Sequence, residues 1–325
     1  MIDFLSNSDW IRPQIDFLLF LQNIRLNSLE VIDKFFLSIT IFGEFWLPTI
    51  VCAIAYWCVD FKAGIYLFSL ESLNIFITHF FKMLACVYRP WVLDSRMQPS
   101  ALAVPYAKGY SFPSGHSAMS SSVLGGLAYV LRHNIKICTL LILLVLLIGF
   151  SRLWLGVHTP QDVLCGLLTG LVLIFGVNKI INWAEIDKNR YIILTVIIDV
   201  LVIAALVYLY KYNSYRIDYT EAGELLVDPQ KLKCLTAKVY AYSLGTLNGC
   251  FMCRRFFPFE PKEIPVKKRI FRGVIGSVCV ILLFKTALEY IFMNPIALTF
   301  ALPLMFLIGL FVTLILPLMF SKLKI

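Results

Sequence analysis

Charged side chains are scarce in this sequence. Only 15% of its 325 residues are Asp, Glu, Lys or Arg, against about 25% in an ordinary soluble domain, and 59% are hydrophobic. That balance excludes a water-soluble globular enzyme and implies an integral membrane protein. The strand-length alternation of a membrane β-barrel is also missing. Lipid offers no partner for exposed backbone groups, so an all-α polytopic transmembrane helical bundle remains. The nine cysteines are odd in number, scattered and mostly inside apolar runs, so no disulfide framework is expected. Cys250-x2-Cys253 has no second pair and no His nearby, and reads as small apolar packing. No internal repeat is visible. Residues 1–16 carry Asp3, Asp9, Arg12 and Asp16 in place of a basic start and an apolar run, so no cleavable signal peptide is expected.

What is present is a series of apolar runs, which predicts about nine spans. They fall near residues 36–59, 63–86, 115–132, 135–153, 160–183, 191–210, 235–252, 273–292 and 296–320. The run at 15–21 is too short to cross a bilayer, which takes about 20 helical residues. The expected organisation is an N-terminal interfacial segment (1–35), a core bearing the chemistry (36–183) and C-terminal transmembrane helices (184–325). In the second span Glu71, Asn74, Thr78 and Lys82 are spaced i, i+3, i+7, i+11. They share one helix face, which must meet protein or water and not lipid.

The formal charge is +9, and it reads as a topology signal, with membrane lipids as partners and no nucleic acid. Fifteen Lys and Arg residues fall on one face of a nine-span arrangement and nine on the other, leaving aside Lys82, Arg89 and Arg152. The richer face, with the basic loop 254–272, is expected in the cytoplasm. Lys82, Arg89, Ser114 to His116, Arg152 and His158 then all fall at the outer face. The outer loops lack an N-x-S/T sequon, which favours a bacterial plasma membrane over a lumenal one.

That coincidence defines a candidate site. Three cations near one point favour a ligand with several negative oxygens, because Arg donates to phosphate in pairs and Lys adds a point charge. Ser114 and Gly115 sit where a helix begins, and free N–H groups there favour an anion. Two of the four histidines, His116 and His158, can divide phosphoryl transfer, one attacking phosphorus and one protonating the leaving oxygen. Asp162 lies four residues after His158 at a helix start. Its carboxylate can hold one ring nitrogen and leave the other as nucleophile. Carboxylates are too few for a magnesium site, so no metal and no cofactor is expected.

The set Lys82-x6-Arg89-Pro90, Pro113-Ser114-Gly115-His116 and Ser151-Arg152-x5-His158-x3-Asp162 resembles the three-part signature of the type-2 phosphatidic acid phosphatase superfamily. That superfamily includes membrane lipid phosphatases, glucose-6-phosphatases and vanadium haloperoxidases. The resemblance implies a phosphohistidine on His158, orientation by Asp162, and His116 as general acid and then base. It implies phosphate binding by Lys82, Arg89, Ser114, Gly115 and Arg152. Nine spans with an outside N-terminus would resemble the glucose-6-phosphatase layout.

The implied activity is metal-independent hydrolysis of a phosphomonoester or diphosphate, of a lipid such as phosphatidic acid, phosphatidylglycerophosphate or a polyprenyl diphosphate. A sugar phosphatase or a lipid phosphotransferase is the alternative within the enzyme class. An anion-binding transporter or scaffold is the alternative outside it, and it leaves two histidines and an orienting carboxylate unexplained. His79 and His133 read as a packed and a solvated residue.

Overall fold

A computed structural model describes residues 8–215, 217–219, 223, 225–287 and 298–323. The α-helices longer than four residues are α1 (Ser8–Leu26), α2 (Glu30–Thr40), α3 (Trp46–Ile54), α4 (Phe61–Ala85), α5 (Gly115–Val130), α6 (Ile135–Trp154), α7 (Pro160–Ile186), α8 (Arg190–Lys211), α9 (Pro229–Phe256), α10 (Val266–Ala287), α11 (Leu298–Leu310) and α12 (Leu316–Lys322). A π-helical turn, Ala55–Val59, extends α3, and a second, Phe311–Ile315, joins α11 to α12. Among the described residues there is no β-strand, only one isolated bridge between Tyr219 and Leu225. The chain is an all-α membrane protein.

The span count differs from the expected nine. Five helices among the described residues are long and apolar enough to cross a membrane. There are six if Glu30–Gly43 and Trp46–Val59, bent by 49°, are one broken span. The span expected at 36–59 is therefore two helices with a break at Glu44 and Phe45. Helix α5 has 16 residues, so a length criterion of about 20 leaves it out of the count, yet it packs along α6 as its hairpin partner. Helix α9 carries Lys231, Lys233, Lys238, Arg254 and Arg255, and α10 carries Lys267, Lys268, Arg269, Arg272 and Lys285, which are costly in hydrocarbon. The end of the run expected at 273–292 and the start of that at 296–320 lie outside the described residues.

The chain forms two compact units. One comprises residues 1–44, 77–171 and 208–233, the other 45–76, 172–207 and 234–325. In the first, α1, α2 and α5 pack on α6. Ile11, Ile15, Leu18 and Leu21 recur at helical spacing on α1 and are buried with Met97 of the loop after α4. Phe36 of α2 is buried with Trp154, Leu155 and Val157 at the end of α6. Asp33, also buried, accepts from Trp154 Nε1 (2.9 Å) and Ser100 Oγ (2.6 Å) and pairs with Arg25 at 3.5 Å. Helix α6 is capped by Asn134, whose side chain accepts the Ile137 N–H. The turn after it contains Gly156, whose φ of +69° suits a residue without a Cβ.

In the second unit α3 packs on α10. The carbonyls of Val312 and Thr313, in the second π-helical turn, accept from Trp57 Nε1 (3.1 Å) and Tyr56 O–H (2.9 Å). A π turn breaks the regular i→i−4 ladder, and these two side chains satisfy its carbonyls. The polar stripe of α4 is buried at Glu71, Asn74 and Thr78, and Glu71 takes the Thr49 hydroxyl. All nine cysteines are free, with Cys250 and Cys253 both buried.

Candidate active site

The site lies in the first unit, on the loop between α4 and α5 and on the ends of α4, α5, α6 and α7. Lys82 is on the last turn of α4. Its ammonium has three donors, and Nζ lies within bonding distance of the carbonyls of Tyr110 (2.9 Å), Ser111 (3.2 Å) and Pro113 (3.0 Å). Arg89 holds the same loop from the other side. Its Nε donates to Gly109 O (3.2 Å) and its Nη2 to Lys108 O (3.1 Å). Its Nη1 reaches Val157 O at 2.8 Å and His158 Nε2 at 2.9 Å. Two cations thus hold the loop in place, and one of them also touches a candidate catalytic ring.

Arg152 is arranged differently. It lies on the last turn of α6 and is 2% exposed, and its Nε has no hydrogen-bond partner. A buried guanidinium donor without an acceptor is costly, and an anion oxygen would satisfy it.

Helix α5 begins at Gly115 with Ser114 as its cap. The Ser114 hydroxyl accepts the Ser117 N–H at 3.4 Å and lies 2.9 Å from Ser117 Oγ. The Ser114 N–H donates to the Asp162 carbonyl at 2.9 Å. Of the two N–H groups expected to face an anion, Ser114's is therefore engaged. Gly115, at the first helical position, has no intrahelical acceptor for its own. A Cβ added there would meet nothing within 4 Å. His116 follows, half-buried. Its backbone and Cβ come so close to Gly43 that a Cβ on Gly43 would sit 2.9 Å from His116 O.

His158 and Asp162 flank the start of α7. Asp162 is fully buried and His158 is 2% exposed. Nδ1 of His158 is 3.4 Å from Asp162 Oδ2. Because Arg89 can only donate to Nε2, the proton of the neutral ring sits on Nδ1, facing the carboxylate. Burial lowers the pKa of His158, and the positive charges of Arg89, Arg152 and Lys82 lower it further, well below the ordinary imidazole range. The ring is therefore neutral at pH 7, with its lone pair on Nε2.

Two residues of this arrangement were not among those expected from the sequence. Ser111 Oγ donates to Asp162 Oδ2 at 2.5 Å and lies 3.3 Å from His158 Nδ1. The Thr159 N–H donates to the same carboxylate oxygen at 2.8 Å, and Thr159 Oγ1 accepts the Asp162 N–H at 3.4 Å. This reciprocal pair is a capping box, legible as Thr159-x-x-Asp162. Ser111 has no such signal. Beyond the 82–162 stretch, Trp10 Nε1 donates to Gln161 Oε1 (2.5 Å) and the Gln161 N–H to Gln14 Oε1 (2.9 Å), which ties α1 to the residue before Asp162.

The structure brings Arg89, His158 and Asp162 into direct contact, and joins Lys82 and Ser114 to them through backbone carbonyls. Among the described residues no hydrogen bond joins the side chain of His116 or Arg152 to His158, and the positive charge of Arg152 lowers the pKa of that ring. Among the described residues no group of three or more His, Cys, Asp or Glu stands close enough to hold a metal ion.

Comparison with known proteins bears on the same stretch. Residues 62–186 match the PAP2 superfamily, and residues 237–325 match the PAP2 superfamily phosphatase, transmembrane extension. The chain is similar to phosphatidylglycerophosphatase B of Bacillus subtilis (strain 168), 32% identical over 102 residues, which is 29% of this chain and 49% of that protein. It is similar to undecaprenyl-diphosphatase BcrC of the same organism, 39% identical over 72 residues, 22% of this chain and 36% of that one. It is also similar to an undecaprenyl-diphosphatase of Sulfolobus acidocaldarius, 26% identical over 149 residues, 45% of this chain and 69% of that one. The chain thus spans 49% of the length of the first of these relatives and 36% of the second. No solved structure matches it. The first matched region contains the whole constellation from Lys82 to Asp162 and the family's transmembrane extension follows it in order, so the chain belongs to the PAP2 superfamily.

Proposed function

We propose that this chain is an integral membrane phosphatase that hydrolyses a lipid phosphomonoester or diphosphate through a phosphohistidine on His158. The observation that carries the reading is the His158 ring, whose Nδ1 faces Asp162 while Nε2 meets an Arg89 N–H. The phosphate oxygens take the N–H groups of Arg89, Arg152 and Gly115, with Lys82 adding charge through the loop it holds and Ser114 capping the helix that presents Gly115. The Arg89 N–H moves from Nε2 to a phosphate oxygen, Nε2 attacks phosphorus as the bond to the leaving oxygen breaks, and His116 gives that oxygen a proton. In the second half-reaction water attacks phosphorus, its proton passes to His116, the P–N bond breaks and inorganic phosphate leaves. Asp162 keeps the Nδ1 proton in place and stabilises the charge that builds on the ring. The fixed cations act on the three equatorial oxygens through both transition states.

The substrate class follows from the membrane setting and from the relatives, whose names specify phosphatidylglycerophosphate and undecaprenyl diphosphate. The site is proposed to face the outer side of a bacterial plasma membrane. Residues 36–183 carry the chemistry, flanked by the N-terminal helices and the C-terminal extension. The test is phosphate release by purified protein in detergent and EDTA. The substrates are phosphatidylglycerophosphate, phosphatidic acid, undecaprenyl diphosphate and glucose 6-phosphate, beside His158→Ala. Release from a lipid that is lost in the variant supports the reading. Release from glucose 6-phosphate alone would overturn the lipid assignment, and release that persists in His158→Ala would overturn the mechanism.

A further inference from the structure

A groove of about 610 Å³ in the second unit takes no part in this chemistry. One wall is a single stripe of α10, on which Val266, Arg269, Gly273 and Ser277 recur at helical spacing. The other is Ile54 and Cys58, at the end of α3 and in the π-helical turn after it. The stripe from Val266 to Val278 runs roughly 18 Å along the helix, and apart from one residue it is uncharged.

That residue is Arg269, and it is held in position. Its Nη1 donates to the Cys58 carbonyl at 3.4 Å, and the Cys58 thiol donates back to the Arg269 carbonyl at 3.1 Å. Its Nε is buried and has no partner. Lys267, Lys268 and Arg272 stand on the same two turns, so the local field favours a negative ligand. An unmet guanidinium donor at the end of an apolar channel matches a molecule with an anionic oxygen at one end and a hydrocarbon chain at the other. A soluble anion would use only the first feature, and a zwitterionic lipid would bring its own cation to a positive site.

We propose that this groove binds one anionic membrane phospholipid, with its phosphodiester on Arg269 and an acyl chain along the Gly273 to Val278 face. The bound lipid is a diester and is not a substrate of the site proposed above. The inference stands independently of that reading.

The test uses the full chain in detergent, with phosphatidylglycerol and phosphatidylcholine of identical acyl chains. Retained lipid is counted by native mass spectrometry, and unfolding is followed by intrinsic fluorescence. Wild type is expected to prefer phosphatidylglycerol about tenfold, the scale of one charge-assisted pair, and to gain thermal stability from it alone. Arg269→Gln loses the preference, and phosphate release stays at the wild-type level. In Gly273→Leu the side chain enters the groove, since only Cys58 Sγ lies near a Cβ built there, at 3.4 Å. This variant retains neither lipid, and it decides the matter if Arg269→Gln does not fold. Equal retention of the two lipids by wild type would overturn the proposal. So would an undiminished preference in Arg269→Gln, unchanged retention in Gly273→Leu, or the same stabilisation from inorganic phosphate.

Discussion

At Asp162 one carboxylate oxygen, Oδ2, meets the Ser111 hydroxyl, the Thr159 N–H and His158 Nδ1, while Oδ1 is buried without a partner. Hydrogen bonds to a charged group contribute about 1.5–3 kcal/mol, and tenfold in rate corresponds to about 1.4 kcal/mol. Ser111→Ala is therefore expected to lower kcat by about ten- to a hundredfold with KM little changed, because the hydroxyl orients the carboxylate and does not reach substrate. Steady-state kinetics on the preferred lipid would check this, and a pure KM effect would contradict it. The neutral state of His158 gives a pH prediction. A base whose pKa is lowered in the folded protein stays unprotonated as pH falls through the ordinary imidazole value of about 6.5. The acid limb of kcat/KM attributable to this ring should accordingly lie well below that value. Removing one neighbouring cation in Arg152→Gln weakens the repulsion, so the limb should move up toward 6.5, whatever the loss in absolute rate. A limb that stayed in place would show that Arg152 does not act on His158.

At the scale of elements, the close approach of α5 and α7 matters most. Small residues at i and i+4 let two helix backbones meet, and Gly166 and Gly170 do this on α7. A Cβ on Gly166 would sit 2.7 Å from the Ser114 carbonyl, and one on Gly170 would sit 2.4 Å from Ser121 Oγ. The Ser114 N–H to Asp162 carbonyl bond joins the starts of the same two helices. Gly166→Ala should thus cost about 1–3 kcal/mol through overpacking and lose most activity as the bond opens, read by thermal unfolding and phosphate release together. Gly115→Ala has the opposite profile. The added methyl meets no protein atom within 4 Å, so unfolding should be unchanged. It occupies the space over the helix N-terminus, and kcat/KM should fall by about tenfold or more as the phosphate is displaced. Activity equal to wild type would mean that Gly115 does not face the phosphate.

At the scale of the whole molecule, α1 and α2, which precede the matched family region, are built into the first unit through Asp33, which accepts from Trp154 and Ser100 and pairs with Arg25. Removing one partner of a buried pair costs about 3–5 kcal/mol, so Asp33→Ala should lower the unfolding temperature markedly. Arg152 lies only two residues before Trp154, so activity should fall with it. Orientation is testable in a cysteine-free background. An impermeant maleimide on intact cells should label a cysteine placed at Gln98 and not one at Lys267. The reverse pattern would invert the assignment of the outer face.

The helical class of the protein, its place in a membrane and the residues worth suspecting were all legible in the order of amino acids. Charge scarcity, apolar run length and motif spacing are properties of the linear chain. The capping box at Thr159-x-x-Asp162 was legible too, since both partners lie within one turn. The number of crossings was not, because the break at Glu44 and Phe45 and the cations within α9 and α10 decide which runs can sit in hydrocarbon. Nor could the sequence show which donors were already engaged. Lys82 faces carbonyls 28 to 31 residues away, Arg89 bonds a carbonyl 68 residues away, and Ser111 meets Asp162 across 51 residues. Each of those bonds forms only when packing closes the loop between α4 and α5 onto the ends of the helices. Tertiary structure alone therefore decided that Arg152 keeps a buried donor without a partner, and that Lys82 and the Ser114 N–H are held by the protein itself.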